Sequence, residues 1–381
     1  MKILQISNYY YPQIGGIEQV AQDCSDALRK DHEVKVFCFN HEKGDKTDSI
    51  DGVEVVRAGC FAKISSQSLS FSYYKLLKRM MAEFKPDAVI FHYPNPFAAR
   101  YLLKILKKYP NVKLILYWHL DITKQKILGK FFGKQTRRLL TKADKVLSTS
   151  PNYIEGSKFL RAFRSKCEVV SCCVNNRHLD LDDSILAAAE EIRKENEGKT
   201  ICLAIGRHVP YKGTEYLIKA SRLLDDRFQI FIAGEGELTP SLKRLAKEDN
   251  KIVFLGKIDH ESLRAYLLAC DIFCFPSVTK NEAFGIALAE AMCYEKPALT
   301  FTIQGSGVNY VSLDGVTGIE VENANVEQYA NAMVKLSEDV EYRLKLGRAA
   351  KERVNRFFTQ EIFDKKIRQV LSDLFAEGDG Q

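Results

Sequence analysis

No stretch of this 381-residue sequence approaches the ~20 consecutive apolar residues that a bilayer-spanning helix needs. The apolar runs are strand-sized, such as residues 34–39 with Lys35 inside them. A charged segment followed by an apolar one is missing from the N-terminus, where Met1 to Gln5 lead directly into a strand-like run. The reading therefore expects no export and a cytoplasmic location. The ten cysteines form no Cys-x-x-Cys pair, and no histidine stands at zinc-finger spacing from any of them. They sit in apolar strand-like runs (Cys38, Cys202, Cys274) or helix-like ones (Cys24, Cys270, Cys293), which suits reduced core residues better than a disulfide scaffold. Glycine and proline, 22 and 10, are too few for a fibrous repeat, and 46% hydrophobic residues with 28% charged exclude a disordered chain.

What is present is divided. Residues 1–175 carry 29 Lys+Arg against 16 Asp+Glu, and residues 176–381 carry 27 against 33, so a basic half of +13 is joined to an acidic half of −6. The basic half suits phosphate-bearing partners such as a lipid-linked substrate or an anionic membrane surface. Strand-like runs at 2–7, 33–39, 53–56, 87–92, 113–118 and 145–149 alternate with helical patterns at 17–30, 70–85, 96–109 and 125–142. After a polar, acidic stretch at 176–199 the alternation restarts. Strands are expected at 200–205, 228–233, 252–255, 271–275 and 297–301, and helices close the chain from about 325 to 377. Such repeats call for an α/β fold of two doubly wound, Rossmann-like lobes with parallel sheets. The lobes are expected at 1–175 and 200–357, joined by a solvated linker at 176–199. Ligands of such sheets gather at the carboxyl ends of the strands.

Three loops stand at those ends. Pro12-Gln-Ile-Gly15-Gly16 opens the first helix, where paired glycines let backbone N–H groups approach an anion; a plain tight turn is the other reading. Gly206-Arg207-His-Val-Pro-Tyr-Lys212-Gly213 offers a guanidinium fork and an ammonium, a pair suited to a diphosphate. In Glu282-Ala-Phe284-Gly285-Ile286-Ala-Leu-Ala-Glu290, eight residues separate two carboxylates by about 12 Å of helical rise. Each carboxylate can accept hydrogen bonds from the hydroxyls of one sugar; the other reading is a capping carboxylate plus an exposed helix charge. Asp180-Leu-Asp182 resembles a metal–diphosphate motif but follows no strand. Gly234-Glu-Gly236 follows one, yet Thr239 stands where a third glycine would be.

In their order and separation, Pro-x-x-Gly-Gly, Gly-Arg-x4-Lys-Gly and Glu-x7-Glu resemble the retaining glycosyltransferases of family 4, which have the GT-B fold of two lobes facing across a cleft. The resemblance covers essentially the whole chain. It implies an acceptor-binding first lobe, on which a C-terminal helix at about 358–381 packs back, and a nucleotide-sugar-binding second lobe. Gly15 and Gly16 would meet the donor diphosphate through backbone N–H groups, as would Arg207 and Lys212 through their cations. Glu282 would hold the transferred hexose and Glu290 the ribose, with Phe284, Gly285 and Ile286 beside the donor sugar and Gly234 lining its pocket. His119, after the strand at 113–118, matches the family histidine facing the reacting centre; a satisfied loop histidine is the alternative. His92 and Asn95, in His92-Tyr-Pro-Asn95-Pro, would shape the acceptor site, against a merely structural turn.

The implied reaction moves a mannose-like hexose from a GDP- or UDP-linked donor to a glycan or polyprenyl-diphosphate-linked acceptor in bacterial surface polysaccharide synthesis. It would use no cofactor, no metal and no nucleic acid. A nucleotide-sugar epimerase of the same fold and a non-catalytic two-lobed sugar-binding protein are the competing classes. The family's hinge motif Pro-x-Gly-Val-Asp is replaced here by Ser171-Cys-Cys-Val-Asn175. In residues 122–145, Lys124, Lys126, Lys130, Lys134, Arg137, Arg138, Lys142 and Lys145 face Asp144 alone. They interleave with Ile127, Leu128, Phe131, Phe132, Leu139 and Leu140. That pattern fits a helix lying on the inner face of an anionic membrane, or one packed in the core with a solvated basic face.

Overall fold

The computed structural model describes residues 1–13, 15–64, 67–122, 129–175 and 180–376. The chain divides into two compact units, Met1–Cys172 with Glu361–Gln381, and Cys173–Gln360.

The first unit is built on strands β1 (Lys2–Ile6), β2 (Glu33–Phe39), β3 (Lys46–Ile50), β4 (Val53–Ala58), β7 (Ala88–Tyr93), β8 (Lys113–Trp118), β9 (Lys145–Ser148) and β10 (Cys167–Val169). A separate two-stranded hairpin is made by β5 (Ala62–Ile64) and β6 (Gln67–Leu69). The main sheet runs in the order β10-β9-β8-β7-β1-β2-β4-β3 and is parallel except for the edge strand β3, antiparallel to β4. Every residue of β7 is buried, as helices on both faces require of a central parallel strand. From β1 the chain passes to β2 on one side, and it later returns to β7 on the other. The loops after β1 and β7 therefore flank a topological switch point, where doubly wound sheets bind ligands.

The second unit repeats this plan with β11 (Thr200–Ile205), β12 (Phe228–Ala233), β13 (Ile252–Gly256), β14 (Ile272–Phe275), β15 (Ala298–Phe301) and β16 (Gly318–Val321). Their order is β13-β12-β11-β14-β15-β16, all parallel, with the switch point between β11 and β14.

Two differences from the sequence reading have physical causes. The acidic stretch at 176–199 is not a solvated linker along its length, because Asp183–Glu195 is a helix. Asp182 caps it, accepting from Ile185 N at 2.9 Å, so the Asp-x-Asp motif is spent on a helix end. Ile185 and Ala189 bury their side chains against Ala265 and Ala269 of the second unit. The short strands β3, β5, β6, β10 and β16 escaped the reading because, with a polar residue or glycine in each, none writes the continuous apolar run that β14 does at similar length. The helices expected from about 325 to 377 are three, Val326–Glu338, Val340–Phe357 and Gln360–Ala376. The Asp339 side chain accepts from Tyr342 N and starts the second of them. The third helix packs on the first unit: Arg368 donates to the Ala27 carbonyl at 2.9 Å, and Lys366 pairs with Glu168 at 2.7 Å. Among the described residues no helix is long and apolar enough to cross a membrane.

Candidate functional site

In the second unit, three loops converge at the carboxyl ends of β11, β12 and β14. Their approach is so close that side chains are excluded. Gly213 stands at φ +62, where a Cβ would lie 2.1 Å from the Pro276 carbonyl oxygen. Gly234, at φ +114, would bring one equally near the Gly206 carbonyl. The pocket they frame is lined by Gly206, His208, Lys212, Thr214, Pro276 and Ser277.

Charge is placed on this frame unevenly. Lys212 ends a 3-10 turn (Pro210–Lys212), and its ammonium lies 2.5 Å from Glu282 Oε2 and 4.9 Å from the centre of the Phe275 ring. Ser277 Oγ donates to the same Glu282 oxygen at 3.1 Å, and Ser306 Oγ donates to the Glu282 carbonyl. Only 9% of Glu282 is exposed; its carboxylate is held by Lys212 and Ser277, and its backbone by Ser306. Arg207, by contrast, is exposed, and its guanidinium has no partner among the described residues. The sequence reading gave Lys212 to a diphosphate and Glu282 to a hexose; the structure joins the two as one ion pair. Gly285, at φ +91, ends the loop and starts the helix Ile286–Cys293, so the amides at that helix N-terminus open beside Glu282. Glu290 is half-buried in this helix, and Phe284 is buried edge-on against Phe358 at 5.3 Å.

His208 was not singled out from the sequence. Its Nδ1 lies 2.8 Å from Thr239 Oγ1, which also accepts from Gly236 N. Its Nε2 is buried without a partner among the described residues, and burial depresses its pKa below 6.5. Thr239, standing where a third glycine was sought, thus ties the Gly234–Gly236 turn to the Arg207 loop.

The first unit presents one carboxylate and a row of uncharged groups. Gly15 caps the helix Gly16–Leu28 in extended conformation, and the Glu18 side chain folds toward it: a Cβ on Gly15 would meet Glu18 Oε2 at 2.3 Å. A carboxylate therefore stands at the helix N-terminus where the sequence reading placed an anion. Ile14 lies outside the described residues. His119 follows β8 and is stacked on Tyr117, with ring centres 4.7 Å apart. Its Nε2 lies 3.0 Å from His92 Nδ1, and His92 Nε2 lies 2.9 Å from the Gln5 amide.

Two residues expected at an acceptor are corrected here. His92 is fully buried with both ring nitrogens engaged, so it touches His119 and no ligand. Asn95 is buried as the cap of the helix Pro96–Leu106, accepting from Ala98 N at 2.9 Å while donating to Asn8 Oδ1 at 2.6 Å. Gln5 escaped the sequence reading, although a polar residue in the otherwise apolar run Ile3-Leu4-Gln5-Ile6 was a visible signal.

The basic segment divides too. Lys124, Lys126, Ile127 and Leu128 lie outside the described residues, as do the side chains of Lys130 and Phe131. In the rest of the helix Gly129–Lys142, Leu139 and Leu140 are fully buried, and Phe132 packs against Phe97 at 6.2 Å. These apolar residues belong to the core, not to a membrane-facing surface, and leave Lys134, Arg137 and Arg138 exposed. Among the described residues no group of three or more His, Cys, Asp or Glu side chains could hold a metal ion.

Two Rossmann-like units with loops gathered at their switch points are the plan of the GT-B fold. Residues 188–353 match the family model of glycosyl transferases group 1, and residues 14–177 match that of glycosyltransferase family 4. The chain is 30% identical over 365 residues to the D-rhamnosyltransferase WbpZ of Pseudomonas aeruginosa, covering 94% of this chain and 92% of the relative. It is 27% identical over 365 residues to the O-antigen chain mannosyltransferase C of Escherichia coli, covering 95% of each. Among solved structures, sucrose-phosphate synthase from Thermosynechococcus elongatus superposes with a TM-score of 0.83 at 19% identity, covering 99% of each chain. The chain belongs to the family 4 glycosyltransferases of the GT-B fold.

Proposed function

We propose that this glycosyltransferase moves a hexosyl unit, mannosyl or a related deoxyhexosyl, from a nucleoside-diphosphate sugar to a hydroxyl of a glycan or lipid-linked acceptor in surface polysaccharide synthesis. The observation that carries the reading is the Lys212–Glu282 ion pair at the carboxyl ends of β11 and β14, with Arg207 exposed on the same loop as Lys212. The names of the mannosyl- and rhamnosyltransferase relatives support the sugar class.

The chemistry follows from charge. Breaking the bond from the anomeric carbon to the diphosphate oxygen builds positive charge on the sugar and negative charge on the leaving group. Arg207, exposed, is the first cation to meet the diphosphate. Lys212 then exchanges part of its contact with Glu282 for phosphate oxygens, and Glu282, held by Ser277, turns its second oxygen to a sugar hydroxyl. The cations stabilise the departing diphosphate without a metal. In the scheme we favour, the acceptor hydroxyl attacks the face that the diphosphate leaves. A leaving phosphate oxygen takes the hydroxyl proton, and configuration is retained. His119 stands at the reacting centre of the first unit. The exposed Lys134, Arg137 and Arg138 attract the phosphates of an anionic acceptor or membrane surface.

Incubation with a panel of GDP- and UDP-sugars, following released nucleoside diphosphate with and without EDTA, tests the reading. Turnover with one donor class, undiminished by EDTA, is expected, and Arg207→Ala and Glu282→Ala should each abolish it. Wild-type rates in either variant would remove the site assignment, and an absolute metal requirement would remove the metal-free scheme.

A further inference from the structure

Gln5 on β1, His92 on β7 and His119 after β8 lie in a line across three neighbouring strands. The near end of the line rests on the helix Gly16–Leu28. An amide at the start of such a line has two settings, because one end only accepts and the other only donates. With its oxygen toward His92, that ring must donate from Nε2 and accept at Nδ1. His119 would then donate from Nε2 and keep a bare Nδ1. With the amino group toward His92, every step reverses, and His119 carries its proton on Nδ1.

The neighbours of Gln5 choose between these settings. On one side of the amide stand Ser25 Oγ at 2.7 Å and the Ser25 backbone N–H at 3.1 Å; on the other stand the Ala21 carbonyl at 3.3 Å and His92 Nε2 at 2.9 Å. A backbone N–H only donates and a carbonyl only accepts. The oxygen of Gln5 therefore faces Ser25, and its amino group faces Ala21 and His92. His92 Nε2 accepts, its Nδ1–H donates to His119 Nε2, and the His119 proton is left on Nδ1, which has no partner among the described residues.

We infer that Gln5 is a positioning residue which, through His92, fixes His119 in the Nδ1–H tautomer, so that His119 meets the substrate as a hydrogen-bond donor and not as a base. The inference rests on the reading that places His119 at the reacting centre. It deepens that reading by removing the imidazole as the acceptor's base, which agrees with transfer of the acceptor proton to the leaving phosphate. Burial supports it: the His92 pKa is lowered to about 3 and that of His119 falls well below 6.5, so both rings are neutral and each holds one proton near neutral pH.

The test uses the full chain labelled with 15N-histidine and long-range 15N–1H correlation at pH 7, which separates protonated from bare ring nitrogens. The His119 signals are assigned by their loss in His119→Gln. Wild type should show His119 protonated at Nδ1 and bare at Nε2. In Gln5→Glu a carboxylate that only accepts forces His92 Nε2 to donate, so the two His119 nitrogens should exchange states. The same variant should lose kcat on the order of 10²-fold, with the donor KM little changed. A wild-type proton on Nε2, or no exchange in a folded Gln5→Glu, overturns the inference; should Gln5→Glu fail to fold, the wild-type spectrum decides. Wild-type turnover in His119→Ala would strike the placement of His119 at the reacting centre, while the spectrum still decides where its proton sits.

Discussion

The two units carry the same doubly wound plan and equip its switch point with opposite chemistry. Beside β11 and β14 the second unit sets formal charges, one exposed guanidinium and one ammonium–carboxylate pair, on loops too tight for side chains at Gly213 and Gly234. Beside β1 and β7 the first unit sets, next to the Glu18 carboxylate, a buried row of neutral groups, an amide and two imidazoles. A charged site works by changing partners when an anion arrives, so it is half-open. A neutral row works by fixing which atom carries a proton, so it is buried along its length up to the Nδ1–H that His119 leaves for a substrate.

The largest effect should come from the charged side. Lys212→Met leaves Glu282 buried without its cation, and Glu282→Gln leaves Lys212 without its anion. Each is expected to lower kcat on the order of 10³-fold. Because the two act as one pair, the double variant should fall less than about tenfold below the worse single one. Initial rates of nucleoside diphosphate release measure this. Losses that multiply in full would mean that the pair seen here is not a working unit, and the contrast between the units would lose its sharper half.

How visible each site was in the sequence follows the same division. Cations and carboxylates at fixed spacing after a strand carry their chemistry in their names, so Arg207, Lys212, Glu282 and Gly213 were legible. What spacing could not show was that Lys212 and Glu282, 70 positions apart, neutralise each other. The neutral row was nearly invisible. His92 and His119 were noticed as separate loop histidines, and Gln5 not at all, because a hydrogen-bonded line across three strands exists only after the sheet order β8-β7-β1 is formed. The same limit hid the role of Asp182, whose cap depends on where a helix begins, and left Asn95 open between an acceptor contact and a structural turn, with its cap unforeseen. The central strands were legible throughout, since their burial on both faces writes continuous apolar runs, while the edge strands β3, β10 and β16 were not.

The glycines give the next contrast, in stability. An alanine at Gly213 combines φ +62 with a Cβ 2.1 Å from the rigid Pro276 carbonyl, and is expected to cost on the order of 3 kcal/mol. An alanine at Gly15 has extended backbone, and its close neighbour is the movable end of Glu18, so it should cost about 1 kcal/mol or less. Urea unfolding of the two variants checks this. Equal losses would mean that the first unit's glycine pair is as tightly built as the second unit's, and that the difference between the frames is illusory.

The smallest effect probes the dry row itself. His92 keeps its pKa near about 3 in the folded chain, because burial disfavours the imidazolium, against 6.5 for an unhindered ring. The sign follows: above pH 6.5 neither state binds the proton and stability is undiminished. As pH falls below 6.5 the unfolded chain takes up a proton that the folded chain refuses until pH approaches 3, so the free energy of unfolding declines. Each buried ring contributes at most about 1.4 kcal/mol per pH unit in that window. His92→Gln, with an amide that retains a donor and an acceptor for Gln5 and His119, removes one of the two refusing rings. Wild type will be the more stable protein at pH 7, but its advantage should shrink by about 2 kcal/mol between pH 7 and pH 5 in denaturant titrations. A constant advantage would mean that His92 is protonated with little penalty in the folded chain. The first unit would then hold a titrating, charge-based site like that of the second, and the fixed tautomer of His119 would lose its foundation.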